Sequence, residues 1–72
     1  MGNGTFYAWV SNEQGATEDV RGRFGNQRAT EDAARAQFGK GWKVHLMKVG
    51  HDGDDGYFPP EEVRTFTLRG RA

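Results

Sequence analysis

The chain contains no cysteine. That excludes a disulfide framework and any thiolate zinc site, so the fold must stand on a small core without covalent help. It also suits the reducing cytoplasm, where the protein is expected to work. No apolar run exceeds a few residues, so no membrane-spanning helix is expected. The segment from Met1 to Thr5 lacks the basic-then-apolar pattern of a secretory signal. Net charge is lacking as well: 10 Lys and Arg balance 10 Asp and Glu. Proteins dedicated to duplex DNA draw most of their affinity from phosphate neutralisation and are usually basic, which counts against that class.

Residues for catalysis are scarce. Ser11 is the only serine, and His45 and His51 are the only histidines. None has a partner close by in sequence. Glu61 and Glu62 are adjacent, so on an extended chain they point apart and cannot flank a substrate as paired carboxylates must. A chain of 72 residues also offers no deep cleft. A non-enzymatic protein without a cofactor is expected. Metal binding fails on spacing. When Gly56 is aligned with the glycine of a calcium loop, His51 and Gly53 fall where carboxylates are required. Gly50, Gly53 and Gly56 do not form a phosphate-binding loop, because no Gly-Lys-Ser/Thr follows them.

What is present reads as one α+β domain over residues 1–72, in the order β-β-α-β-β. Residues 5–11 are aromatic and β-branched, as strands prefer, and residues 19–24 alternate polar with apolar or glycine. A helix is expected over 30–38. Thr30 would be its N-cap, Glu31 and Asp32 would sit in its first turn, and Gly39 would be its C-terminal stop; Asn26 is the alternative cap. Residues 42–49 and 63–69 read as the last two strands. Between them, residues 50–62 form a long acidic loop whose Tyr57 and Phe58 are expected to fold back as anchors.

Side chains alternate across a strand, and one helix covers one face of a mainly antiparallel sheet. The apolar set is Phe6, Ala8, Val10, Val20, Phe24, Trp42, Val44, Leu46, Phe66 and Leu68, with Ala34 and Phe38 of the helix packed on it. The opposite face then carries Tyr7, Trp9, Arg21, Arg23, Lys43, His45, Met47, Thr65, Thr67 and Arg69. Asp19 is its one expected acid. An aromatic and basic face of this kind is expected to be a binding platform, centred on Tyr7, Trp9, Arg21, Arg23, Lys43, His45 and Arg69.

Residues 4–38 carry Gly4-Thr5-Phe6-Tyr7-Ala8-Trp9-Val10-Ser11, then Arg23-Phe24, then Thr30-Glu31-Asp32-Ala33-Ala34-Arg35-Ala36. This run resembles the strand–strand–helix unit of AP2-like and integrase arm-binding domains. The resemblance implies a small sheet laid into a DNA groove with the helix behind it. Those domains have three strands before the helix and a markedly basic sheet. Here there are two, and the last two strands have no counterpart.

Two functions follow as expectations. The first is a small module binding nucleic acid through the open face. The second is a protein-binding regulator or inhibitor of the phage or mobile-element type. A monomer is expected, or a weak homodimer paired through the edge of the first or fourth strand.

Overall fold

The computed structural model describes residues 4–54 and 56–69. Asp55 of the acidic segment and Arg71 near the end of the chain lie outside these. The elements are β1 (Phe6–Ser11), β2 (Thr17–Asp19), α1 (Gln27–Gln37), β3 (Lys43–Lys48), β4 (His51–Gly53), β5 (Gly56–Phe58) and β6 (Glu61–Thr67). Four strands form an antiparallel sheet in the order β2-β1-β3-β6, and β4 pairs with β5 in a separate hairpin. The α+β class and the mainly antiparallel sheet are as the sequence predicts. Among the described residues no helix is long and apolar enough to cross a membrane.

The β1–β2 turn is built by Asn12, whose Oδ1 accepts the backbone N–H groups of Gln14 and Ala16, each at 3.0 Å. Gly15 completes it at φ 88°, the left-handed region that glycine enters without strain. β2 stops at Asp19, well short of the predicted residue 24. Gly22 has φ 102°, which breaks the extended run. A methyl group there would also stand 3.0 Å from the Phe24 ring. Val20 still donates to the Ala8 carbonyl at 3.1 Å, and Phe24 rejoins β1 by exchanging two 2.9 Å hydrogen bonds with Phe6. Between them Arg21 is turned out of the ladder. Its backbone N–H and C=O are both clamped by the Gln37 side chain, at 2.7 and 3.1 Å.

The helix begins one turn earlier than a Thr30 cap would allow. Asn26 caps it, its Oδ1 accepting the Ala29 N–H at 2.8 Å. Thr30 lies inside, fully buried, and its hydroxyl donates to the Asn26 carbonyl at 2.9 Å. Glu31 and Asp32 therefore leave the first turn. They face Arg35 at 3.5 Å each, and Glu31 also takes Arg64 of β6 at 2.7 Å. At the other end Phe38 swings into extended backbone at φ −129°. The left-handed residue is Gly41, φ 100°, not Gly39.

α1 packs on β1 and β3. The core is Ala8, Val10, Val20, Ala34, Val44, Leu46 and Leu68, with Ala33, Phe38, Trp42 and Phe66 partly buried around it. Every residue of this core belongs to the face that the alternation predicts as covered.

The expected loop after Gly50 contains structure. His51–Gly53 pairs with Gly56–Phe58, and β6 starts at Glu61, two residues before the expected start. Tyr57 and Phe58 are exposed, at 64% and 45%, and Phe58 stacks on His51 within the hairpin (4.9 Å), so they do not anchor it to the core. β1 is central, so the edges open to a further strand belong to β2 and β6.

Candidate functional site

The face of the sheet opposite α1 is organised by β1 and β3, its two central strands. Their register sets Tyr7 across from Met47, Trp9 across from His45, and Ser11 across from Lys43. Directly opposed side chains on neighbouring strands lie about 4.5–5.5 Å apart at Cβ, close enough for rings to meet. Trp9 and His45 do so, with centroids 3.8 Å apart and planes 8° from parallel. Beside them the Arg23 guanidinium sits 5.7 Å from the centre of the Tyr7 ring, a cation–π distance. Asp19 stands across from Trp9, and Thr65 and Thr67 of β6 stand across from His45 and Lys43.

One member of this face was not expected. The β3–β6 register shifts between Leu46 and Met47: Leu46 opposes Arg64, while Met47 opposes Glu62. Val63 is the extra residue of a bulge, and the bulge carries Glu62 onto the open face. There Glu62 Oε1 lies 2.8 Å from His45 Nδ1. The other ring nitrogen, Nε2, lies 3.0 Å from Ser11 Oγ. An ionised carboxylate only accepts, so Nδ1 carries the proton in neutral His45 and donates it to Glu62. Nε2 is then the acceptor, and the Ser11 hydroxyl donates to it. The imidazole is thus fixed at both nitrogens and across one ring face, and its side chain is only 13% exposed.

His45 holds the Glu62 carboxyl below its ordinary value of 4.5, chiefly by the hydrogen bond; the neighbouring Thr65 hydroxyl lowers it further, desolvation opposes both, and the charges of His45 and Lys43 add smaller effects. A carboxyl whose value is lowered on folding contributes stability above its ordinary value, and loses it as pH falls through the lowered one. Glu62→Gln should therefore be less stable than the wild type at neutral pH, by a small margin because the side chain is 46% exposed. That margin should shrink below about pH 4.5. Paired urea melts above and below pH 4.5 measure it; a margin that stays constant through the range in which Glu62 is protonated would contradict the stabilising hydrogen bond.

Of the residues the sequence singles out, Tyr7, Trp9, Arg23, Lys43 and His45 share this face. Arg21 and Arg69 lie apart from it. Arg21 is the residue clamped by Gln37 at the end of α1. Arg69 follows the last strand and lines a cleft with Asp32, Arg35, Phe38 and Lys40 beside the helix. Two cations and two carboxylates, Arg23 and Lys43 against Asp19 and Glu62, replace the basic face the alternation suggests. Ser11 and Glu62 were missed because each becomes a partner of His45 only through strand register. Among the described residues no three His, Cys, Asp or Glu side chains are grouped as a metal ion would need. In comparisons with known proteins, no family model, no curated protein and no solved structure matches this chain.

Proposed function

We propose that the open sheet face is a small binding platform for single-stranded nucleic acid. The observation that carries this reading is the placement of Tyr7 and Trp9 on β1, with His45 on β3 stacked against one face of Trp9. These are the central strands of a four-stranded sheet whose other face is closed by a helix. Aromatic side chains at such positions stack unpaired bases, here on Tyr7 and on the face of Trp9 that His45 leaves open, and stacking tolerates any sequence. Arg23 at the Tyr7 end and Lys43 at the Ser11 end supply cations for the backbone. At ~3.3 Å per strand residue they flank a track of roughly 13 Å, room for a short oligonucleotide segment. The module acts by binding, as a monomer or weak homodimer, in the cytoplasm that its lack of cysteine suits.

The balance of charge on this face favours a second reading, a protein partner anchored on the same aromatics, as for a phage-type regulator. Salt separates the two. Two phosphate contacts, at Arg23 and Lys43, give a slope of log K against log salt of about −1.4 on a single strand. The test is Trp fluorescence titration with single- and double-stranded oligonucleotides at low and moderate salt. The expected result is weak saturable binding of the single strand with that shallow slope, and weaker binding of the duplex. No binding at low salt removes the nucleic-acid reading and leaves the protein partner.

A further inference from the structure

Ser11, His45 and Glu62 form a continuous hydrogen-bonded chain that base stacking does not use. Its polarity is the one nucleophilic catalysis needs: hydroxyl to Nε2, and Nδ1–H to carboxylate. We propose that Ser11 is a nucleophile that accepts an acyl group from small activated esters, with His45 as its general base and Glu62 as the positioning residue for the imidazole.

Three features support this beyond the two hydrogen bonds. First, the imidazole cannot turn away, because Trp9 is stacked on it at 3.8 Å. The proton acceptor is therefore already aimed at the serine. Second, Ser11 borders a shallow depression of about 220 Å³ shared with Asn12, Glu13, Gly41, Lys43 and Thr67, which suits an acyl group of a few carbons and carries one cation and one carboxylate. Third, Lys43 is directly across the β1–β3 ladder from Ser11 and lines the same depression. Its flexible stem lets the ammonium meet the oxygen on which negative charge develops. The ionised state of Glu62 agrees with the tautomer required.

The reaction balances with water as the only co-reactant. Ser11 Oγ bonds to the ester carbonyl carbon while its proton passes to His45 Nε2, and the carbonyl electron pair moves to the oxygen beside Lys43. The tetrahedral intermediate collapses, the C–O bond to the leaving group breaks, and the departing oxygen takes the proton from Nε2. Water then attacks acyl-Ser11 through the same base and releases a carboxylic acid and free Ser11. One mobile cation stabilises the oxyanion less than a rigid pair of N–H donors would. Aryl esters, whose leaving groups need little assistance, are therefore the substrates it can turn over.

The experiment incubates the folded full chain with p-nitrophenyl acetate, follows nitrophenolate release, and maps the acetyl group by mass spectrometry. No oligonucleotide is involved, so this idea and the binding platform fail separately. The expected result is acetylation at Ser11, absent in Ser11→Ala. His45→Gln should slow it by roughly 100-fold or more, as loss of a general base does. Glu62→Gln should slow it several-fold, with partial recovery in Glu62→Asp, a graded response that a purely structural role would not produce. Lys43→Met should slow it without changing the urea midpoint. Acetyl groups confined to lysines, with Ser11 unmodified, would overturn the proposal. So would Ser11 acetylation at an unchanged rate in His45→Gln. Glu62 and Lys43 are both exposed, so if His45→Gln does not fold, unchanged acetylation in Glu62→Gln and Lys43→Met overturns it instead.

Discussion

Leu46→Ala should lower the urea midpoint of unfolding more than any other core truncation, removing a large share of the stability. Leu46 is fully buried in β3, paired with Ala8 on one side and Arg64 on the other, beneath α1. It is also the largest of the fully buried side chains. Truncation of a buried leucine to alanine costs about 2–5 kcal/mol, from lost transfer energy and the cavity left behind. Domains are stabilised by roughly 0.05–0.15 kcal/mol per residue, about 4–11 kcal/mol for a chain of 72 residues, so the loss takes a large share of the total. Without a disulfide to restrain the unfolded state, nothing offsets the loss. Phe38→Ala should cost less, because Phe38 is only partly buried at the helix end, edge-on to Trp42 at 5.5 Å. Urea unfolding followed by circular dichroism ranks the two. An unchanged midpoint for Leu46→Ala would mean that the centre of the core lies elsewhere.

The second large effect concerns binding. Trp9→Ala should weaken single-stranded oligonucleotide binding by roughly 5- to 150-fold, the equivalent of ~1–3 kcal/mol for one stacked base. The fold should survive, because Trp9 projects from the open face and contributes nothing to the core cluster. The same substitution removes the ring lying against His45, so part of the loss comes from a less ordered imidazole. Asp54→Asn, in the turn between β4 and β5, should leave binding nearly unchanged. Fluorescence anisotropy with a labelled oligonucleotide compares all three proteins. A Trp9→Ala variant that binds the oligonucleotide as the wild type does would exclude the aromatic platform for nucleic acid.

The division of the sheet into two faces was legible because it depends only on period-two alternation within each strand. Ala8 and Val10 alternate with Tyr7 and Trp9, and Val44 and Leu46 with Lys43, His45 and Met47, whatever the strands pair with. Features set by register were not legible. The bulge at Val63 reverses the parity of β6 partway along, so Glu62, read as a loop residue, becomes a ligand of His45. Nothing local in Glu61-Glu62-Val63 announces that shift. Gly22 was ambiguous in a different way: glycine is tolerated in a strand, and only the approach of the Phe24 ring, together with the positive φ, turns it into a break. Asn26 and Thr30 are both good caps in isolation. With Asn26 as the cap, Thr30 is wound into the helix, where it is buried and its hydroxyl is satisfied by the Asn26 carbonyl.

β1 is made first yet lies in the middle of the sheet. Its ladder joins Ser11 to Lys43 and Phe6 to Lys48, whereas β3 and β6 are joined through a compact hairpin. As the chain leaves the ribosome, β1 can pair at once only with β2 and the short stretch through Val20 and Phe24 that follows it. Ala8 and Val10 then stay wet until α1 and β3 have followed. Contacts between distant parts of a chain form slowly, since the loop must close before any of them is gained. The ribbon of β3 and β6 is the local half, and docking it on β1 is the step that excludes water from the core. For a nascent chain, the interval before that docking is when its apolar face is open to the wrong neighbour.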